Sequence, residues 1–153
     1  MNGKTLLLQT LASAVPYAFA ALGGTICEGS GVANIALEGA MLVGAFAAAA
    51  GGLASGSLFV ALVSAFVAGG AFLAIHGFAV VRLGVSSIVS GVAMNLIAAG
   101  GTRFLLRAIY GSSANSPTVE AFSASGAGRL ILPALAVVAL VATLFFFRKT
   151  ALG

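Results

Sequence analysis

Charge is what this chain most lacks. Its 153 residues include seven Lys or Arg, three Asp or Glu and one His, so that 7% are charged, where a water-soluble domain carries about 25%. So few charges cannot cover a globule in water, whereas lipid requires no charged cover. A soluble enzyme is excluded. The single cysteine, Cys27, rules out an intramolecular disulfide, and with the lone His76 it rules out a Cys/His metal cage. No Ser/His/Asp set, phosphate-cradling glycine loop or metal-ligand spacing is present, so chemistry on a covalent bond is not expected. The sequence pI of about 10 does not signal nucleic acid, because Lys4, Arg82, Arg103, Arg107 and Arg129 are isolated and only Arg148 and Lys149 adjoin.

What is present is apolar: 61% of residues are hydrophobic and the mean hydropathy is +1.18. The expected class is an all-α integral membrane protein, multi-pass, in the cell membrane. A bilayer core of about 30 Å takes about 20 apolar residues as a helix, and the charges serve as rulers. Thr5–Cys27 carries none and makes a first span, with Pro16 tolerated inside it. Read instead as a signal peptide, Lys4 would be the basic region and Ala18–Ala20 the cleavage site, but the apolar pattern continues past that point. The uncharged stretch from Gly39 to Val81 is too long for one span and must turn. The Gly/Ser cluster Gly51–Ser57 marks the turn, giving helices over Glu38–Gly51 and Leu58–Val81. Leu83–Thr102 is a fourth span and Leu130–Phe147 a fifth, separated by an exposed Ser/Gly/Ala-rich loop over Tyr110–Gly128. About five spans are therefore expected, in one membrane domain over 1–153. Charge bias does not orient them, since the basic residues nearly balance across the two sides.

The informative residues are those that lipid should not tolerate. Glu28–Ala45 places two carboxylates and an amide between apolar runs, and polar groups at membrane depth mark pathways or partners. If this segment is helical, Ser30, Asn34 and Glu38, spaced four apart, form a polar stripe. Gly29, Gly31, Gly39 and Gly44 instead suggest a backbone that breaks or approaches a neighbour closely, and a broken or re-entrant segment near residues 28–39 is expected, of the kind that presents backbone dipoles to a solute. The plainer alternative is an interfacial loop with its acids among headgroups. Ser87, Gly91, Asn95 and Ala99 recur at the same spacing in the fourth span, with Arg103 and Arg107 continuing that face as interfacial anchors. Asn95 fits a bond between helices as well as a solute contact. His76, on a face with Ser64, Ala68 and Phe72, reads as a helix-packing residue, Cys27 as a small filler, and the Phe residues as lipid-facing bulk.

Two segments carry a resemblance. Ala21–Phe46 contains a pattern borne by Glu28, Gly31, Val32, Asn34, Ile35, Leu37, Glu38, Gly39, Met41, Leu42, Gly44 and Ala45, and Ser86–Gly100 contains a second borne by Ser90, Gly91, Val92, Ala93, Asn95 and Leu96. Together they resemble the membrane permeases of ABC importers for nucleosides and simple sugars, in the wider group that includes ribose and branched-chain amino acid permeases. The first pattern departs at Gly29, where that family usually has a basic residue.

The resemblance implies a permease subunit that lines a translocation path for nucleosides or simple sugars, is not itself an enzyme and binds no cofactor. ATP would be hydrolysed on a separate ABC ATPase subunit, and a second permease subunit, an extracytoplasmic solute-binding protein and membrane lipid would complete the partners. Ser30, Asn34, Glu38 and Asn95 are the candidate path residues. The family usually continues beyond a segment like Arg148–Gly153 into a basic cytoplasmic stretch, so the chain is expected to be an amino-terminal portion. That places Met1 outside, Arg82 inside and the Tyr110–Gly128 loop outside. The rival expectation from the residues is a small self-assembling channel or helical bundle without ATPase coupling.

Overall fold

The structure, a computed structural model, describes residues 3–118 together with 138, 141 and 145. Four α-helices follow one another: α1 (Gly3–Gly29), α2 (Leu37–Ser55), α3 (Leu58–Val81) and α4 (Ser87–Tyr110). The expected fifth span over 130–147 lies outside the described residues, apart from helical backbone at Val138, Val141 and Phe145. The described residues divide into two units, one holding α1 up to Val32 together with Val138, Val141 and Phe145, the other beginning at Ala33 and holding α2, α3 and α4.

In the first unit α1 runs through Pro16 without ending, although proline removes one backbone donor from the ladder. The Thr10 and Thr25 hydroxyls donate to the Leu6 and Leu22 carbonyls at 2.9 and 2.8 Å, which satisfies them within the helix.

In the second unit α2, α3 and α4 are each long and apolar enough to cross a membrane. α2 and α3 form an antiparallel hairpin. Their contact is built from small residues: a methyl group placed on Gly44 would lie 3.6 Å from the Ala65 carbonyl, and one on Gly69 would lie 3.5 Å from the Ala40 carbonyl. Ala36, Ala40, Ala61, Ala98 and Met94 form the buried apolar core, and no large side chain among the described residues is fully enclosed. The bulk points outward, as at Phe59, Phe78, Phe104 and above all Phe66, which is 84% exposed. This distribution suits lipid, where close backbone approach rather than expulsion of water holds helices together.

The second and fourth spans differ from the sequence reading in their bounds. α2 does not stop at Gly51 but continues to Ser55, and the turn is only Gly56 and Ser57. Gly51 is small because Ser64 passes close by, its Oγ 2.5 Å from where a Gly51 methyl would sit. Gly56 is the residue that ends the helix, with φ 64° and its N–H on the Gly52 carbonyl at 2.9 Å, a left-handed termination open to glycine at little cost. The fourth span, expected over Leu83–Thr102, starts later and ends later, because residues 82–86 form the turn after α3. α4 begins at Ser87 and runs through Arg103 and Arg107, both exposed, to end in the same way at Gly111. Charged side chains on a long helix bring their own solvent or headgroup contact, so they do not mark its end.

Substitution tests the hairpin contact. Gly51→Leu should destabilise the protein by about 1–3 kcal/mol through overpacking against Ser64, whereas Gly70→Leu, where no atom lies within 4 Å, should leave it as stable as the parent. Thermal unfolding in detergent measures both, and equal losses would refute the assigned contact.

Candidate functional site

The break between α1 and α2 is where polar atoms concentrate. The first four N–H groups of a helix have no partner within it, and Ala36, the residue just before α2, offers no side-chain cap. The Asn34 carboxamide oxygen accepts the Ala36 N–H at 3.1 Å. The next partner comes from another helix: Asn95 of α4 accepts the Gly39 N–H on Oδ1 at 2.7 Å and donates from Nδ2 to the Ile35 carbonyl at 2.9 Å. Only one orientation of the amide satisfies a donor and an acceptor at these two places, so the assignment of its two atoms is determined by the backbone. Asn95 thereby does for α2 what a capping side chain at its own N-terminus would do.

Two glycines make this reach possible. A methyl group on Gly39 would stand 2.9 Å from Asn95 Oδ1 and 3.1 Å from both Ala98 Cβ and Phe72 Cε1. One on Gly91 would stand 2.9 Å from Ile35 Cβ and 3.2 Å from the Ala36 nitrogen. Any larger residue at either place separates α4 from the start of α2. The two sequence patterns are therefore in contact, Ile35–Gly39 of the first against Gly91 and Asn95 of the second.

The four candidate path residues do not form one stripe. Residues 30–36 are not helical, so the spacing of Ser30, Asn34 and Glu38 does not place them on a common helix face. Ser30 sits in the turn after α1, its hydroxyl donating to the Cys27 carbonyl at 2.6 Å, and Gly31 adopts φ 84° as the chain leaves that turn. Glu38 lies in the first turn of α2 and is exposed, where its charge favours the helix end. Asn34 and Asn95 are the two that meet at the α2 start. On α4 the packed face is Ser90, Gly91, Met94, Ala98 and Thr102, and Arg103 and Arg107 do not continue it. Steps of four residues drift by about 40° each against a 3.6-residue turn, so the stripe from Ser87 winds off the packed face.

The sequence reading did not pair His76 with Ser90. Both are buried, at 3% and 7% exposure, and His76 Nδ1 lies 2.9 Å from Ser90 Oγ. The signal was available: in an antiparallel hairpin turning after Arg82, residues equally far from the turn lie level. At the other end of the unit, Leu42, Phe46, Thr102, Leu106, Asn115 and Ser116 line a groove of about 240 Å³. Among the described residues no His, Cys, Asp or Glu cluster could hold a metal ion.

Asn95→Leu, which keeps volume and removes both bonds, should lower stability by about 2 kcal/mol or more, because it leaves two backbone groups without partners. Thermal unfolding in detergent measures the loss, and a variant as stable as the parent would show that the clamp contributes nothing.

Comparison with known proteins bears on this geometry. Residues 6–153 match the family described as the branched-chain amino acid transport system permease component. The chain is 39% identical over 119 residues to the guanosine ABC transporter permease protein NupQ of Bacillus subtilis, an alignment covering 74% of this chain and 37% of that protein. It is 30% identical over 113 residues to the nucleoside ABC transporter permease protein NupC of Lactococcus lactis, covering 70% of this chain and 36% of that protein. The chain thus spans about a third of the length of these relatives. No solved structure matches. With its apolar spanning helices and a match over nearly its whole length, the chain is a membrane protein and belongs to the permease-component family of the branched-chain amino acid transport system.

Proposed function

We propose that this chain forms part of the permease subunit of an ABC importer and contributes to the translocation path for nucleosides or simple sugars. The observation that carries this reading is the junction at Asn95, which joins the two sequence patterns the chain has in common with such permeases. The relatives named for guanosine and nucleoside transport favour a nucleoside. ATP is hydrolysed on a separate ATPase subunit, and a second permease subunit and an extracytoplasmic solute-binding protein complete the assembly. About five spans, with the segment near residues 28–39 broken or re-entrant, form this part of the permease.

Within that path Glu38, Asn34 and Ser30 supply hydrogen-bonding groups suited to the hydroxyls of a sugar ring. Asn95 has both amide groups committed to backbone, so its contribution is to hold the α2 start in place for them. An acid in an otherwise apolar chain is costly unless it has a use, and Glu38 is the acid nearest the clamp.

Glu38→Gln keeps shape and removes charge. In a complete permease, uptake of labelled nucleoside should fall about tenfold or more while expression holds, the scale expected for a lost charge-assisted bond. Unchanged uptake by both Glu38→Gln and Glu38→Ala would remove Glu38 from the path.

Orientation gives a second test. α4 has 24 residues, about 36 Å of helix, enough to carry its two ends to opposite faces of the bilayer. With Cys27 replaced, a cysteine at Ser113 should react with an impermeant thiol reagent added outside intact cells, and one at Leu83 should not. The reverse pattern would invert the proposed topology.

A further inference from the structure

We propose that His76 is a positioning residue: through Ser90 it holds α4 in the register at which Asn95 reaches the start of α2. Three observations converge on this. α3 packs along the length of α2 but touches α4 over a short stretch, and His76 Nδ1 to Ser90 Oγ is a side-chain bond joining α3 to α4 within that stretch. Ser90 directly precedes Gly91, whose missing side chain lets Ile35 and Ala36 approach, and Asn95 lies little more than a turn further along α4. On α3, one turn before His76, Phe72 lies against Gly39, the residue whose N–H Asn95 accepts. The His76–Ser90 bond and the Asn95 clamp are thus two sides of one junction, where α3, α4 and the α2 start meet.

The other ring nitrogen separates this role from a general packing role. His76 Nε2 is fully buried and has no hydrogen-bond partner, a costly arrangement for a polar atom in an apolar surround. If the residue served only to fill space, an apolar side chain would do so without that cost. The bond at Nδ1 is what the imidazole provides in exchange. The consequence is specific: the group needed is a polar atom at the δ position, not at the ε position. Asparagine carries its polar atoms at δ and can bond Ser90 through either, since a hydroxyl both donates and accepts. Glutamine carries its polar atoms at ε and cannot.

The inference concerns the three-helix unit and does not depend on what is transported, so its test is amide exchange rather than uptake. The chain is solubilised in detergent micelles and exchange at the Gly39 and Ala40 amides is followed by NMR. His76→Leu, His76→Gln and the milder Ser90→Ala should each accelerate exchange at Gly39 about five- to tenfold, the scale of one lost hydrogen bond, with the middle of α3 unchanged. His76→Asn should stay within about twofold of the parent. Protection by glutamine but not by asparagine would assign the role to Nε2 and overturn the proposal. So would unchanged Gly39 exchange in His76→Leu and Ser90→Ala, or an acceleration spread evenly over α2, α3 and α4.

Discussion

A backbone that leaves the helical ladder inside an apolar protein must find its hydrogen bonds elsewhere, and here that requirement falls on one amide. Asn95 takes the Gly39 N–H and supplies the Ile35 carbonyl, so the chain can stop being helical after Gly29 and resume at Leu37 without leaving both groups unpaired. The rest of the junction serves this reach. Gly39 and Gly91 are small so that α4 can come within bonding distance, and Asn34 satisfies one further donor from within the break. The first turn of α2, Glu38 included, is placed by a residue more than fifty positions away.

The remainder of the three-helix unit obeys the economy of packing in lipid. Hydrophobic bulk cannot drive helices together when the surrounding solvent is equally apolar, so contact depends on small residues that bring backbones close. Glycine and alanine therefore line the α2–α3 interface, while Phe59, Phe66 and Phe78 face away. Polar side chains within this region are few and mostly matched locally, as Thr102 is to the Ala98 carbonyl at 2.7 Å. Among the described residues Asn95, His76 and Ser90 instead connect helices.

For the transport proposed above, the same junction matters. A solute with hydroxyl groups needs polar partners, and on that proposal the non-helical residues 30–36 supply them from backbone and side chains that would otherwise be sealed in the ladder. The interruption is useful only if it is held in one conformation, which is the role of the clamp. We therefore separate two kinds of residue that sequence spacing had placed together: Glu38, whose carboxylate is exposed and available, and Asn95, whose amide is already engaged.

The sequence by itself determined the class of molecule and most of its elements. Scarcity of charge points to lipid as the surround, and uncharged runs locate α2, α3 and α4 because a span needs continuous apolar length. It also singled out Asn34, Gly39, Gly91 and Asn95, since polar and very small residues are conspicuous in an apolar chain. Tertiary structure alone decided what those residues do. Whether Ser30, Asn34 and Glu38 share a face depends on whether residues 30–36 are helical, and that depends on a partner in α4. The helix ends read at Gly51 and Thr102 lie further on, at Ser55 and Tyr110, because glycine breaks a helix or permits close packing according to its neighbours, and arginine ends a helix or reaches out from it according to where solvent lies. His76 and Ser90 are level about the turn after Arg82, but only the packing of α3 on α4 brings Nδ1 and Oγ within bonding distance. Hydrogen bonds between distant residues are properties of distance, and distance across the chain is set only when the helices pack.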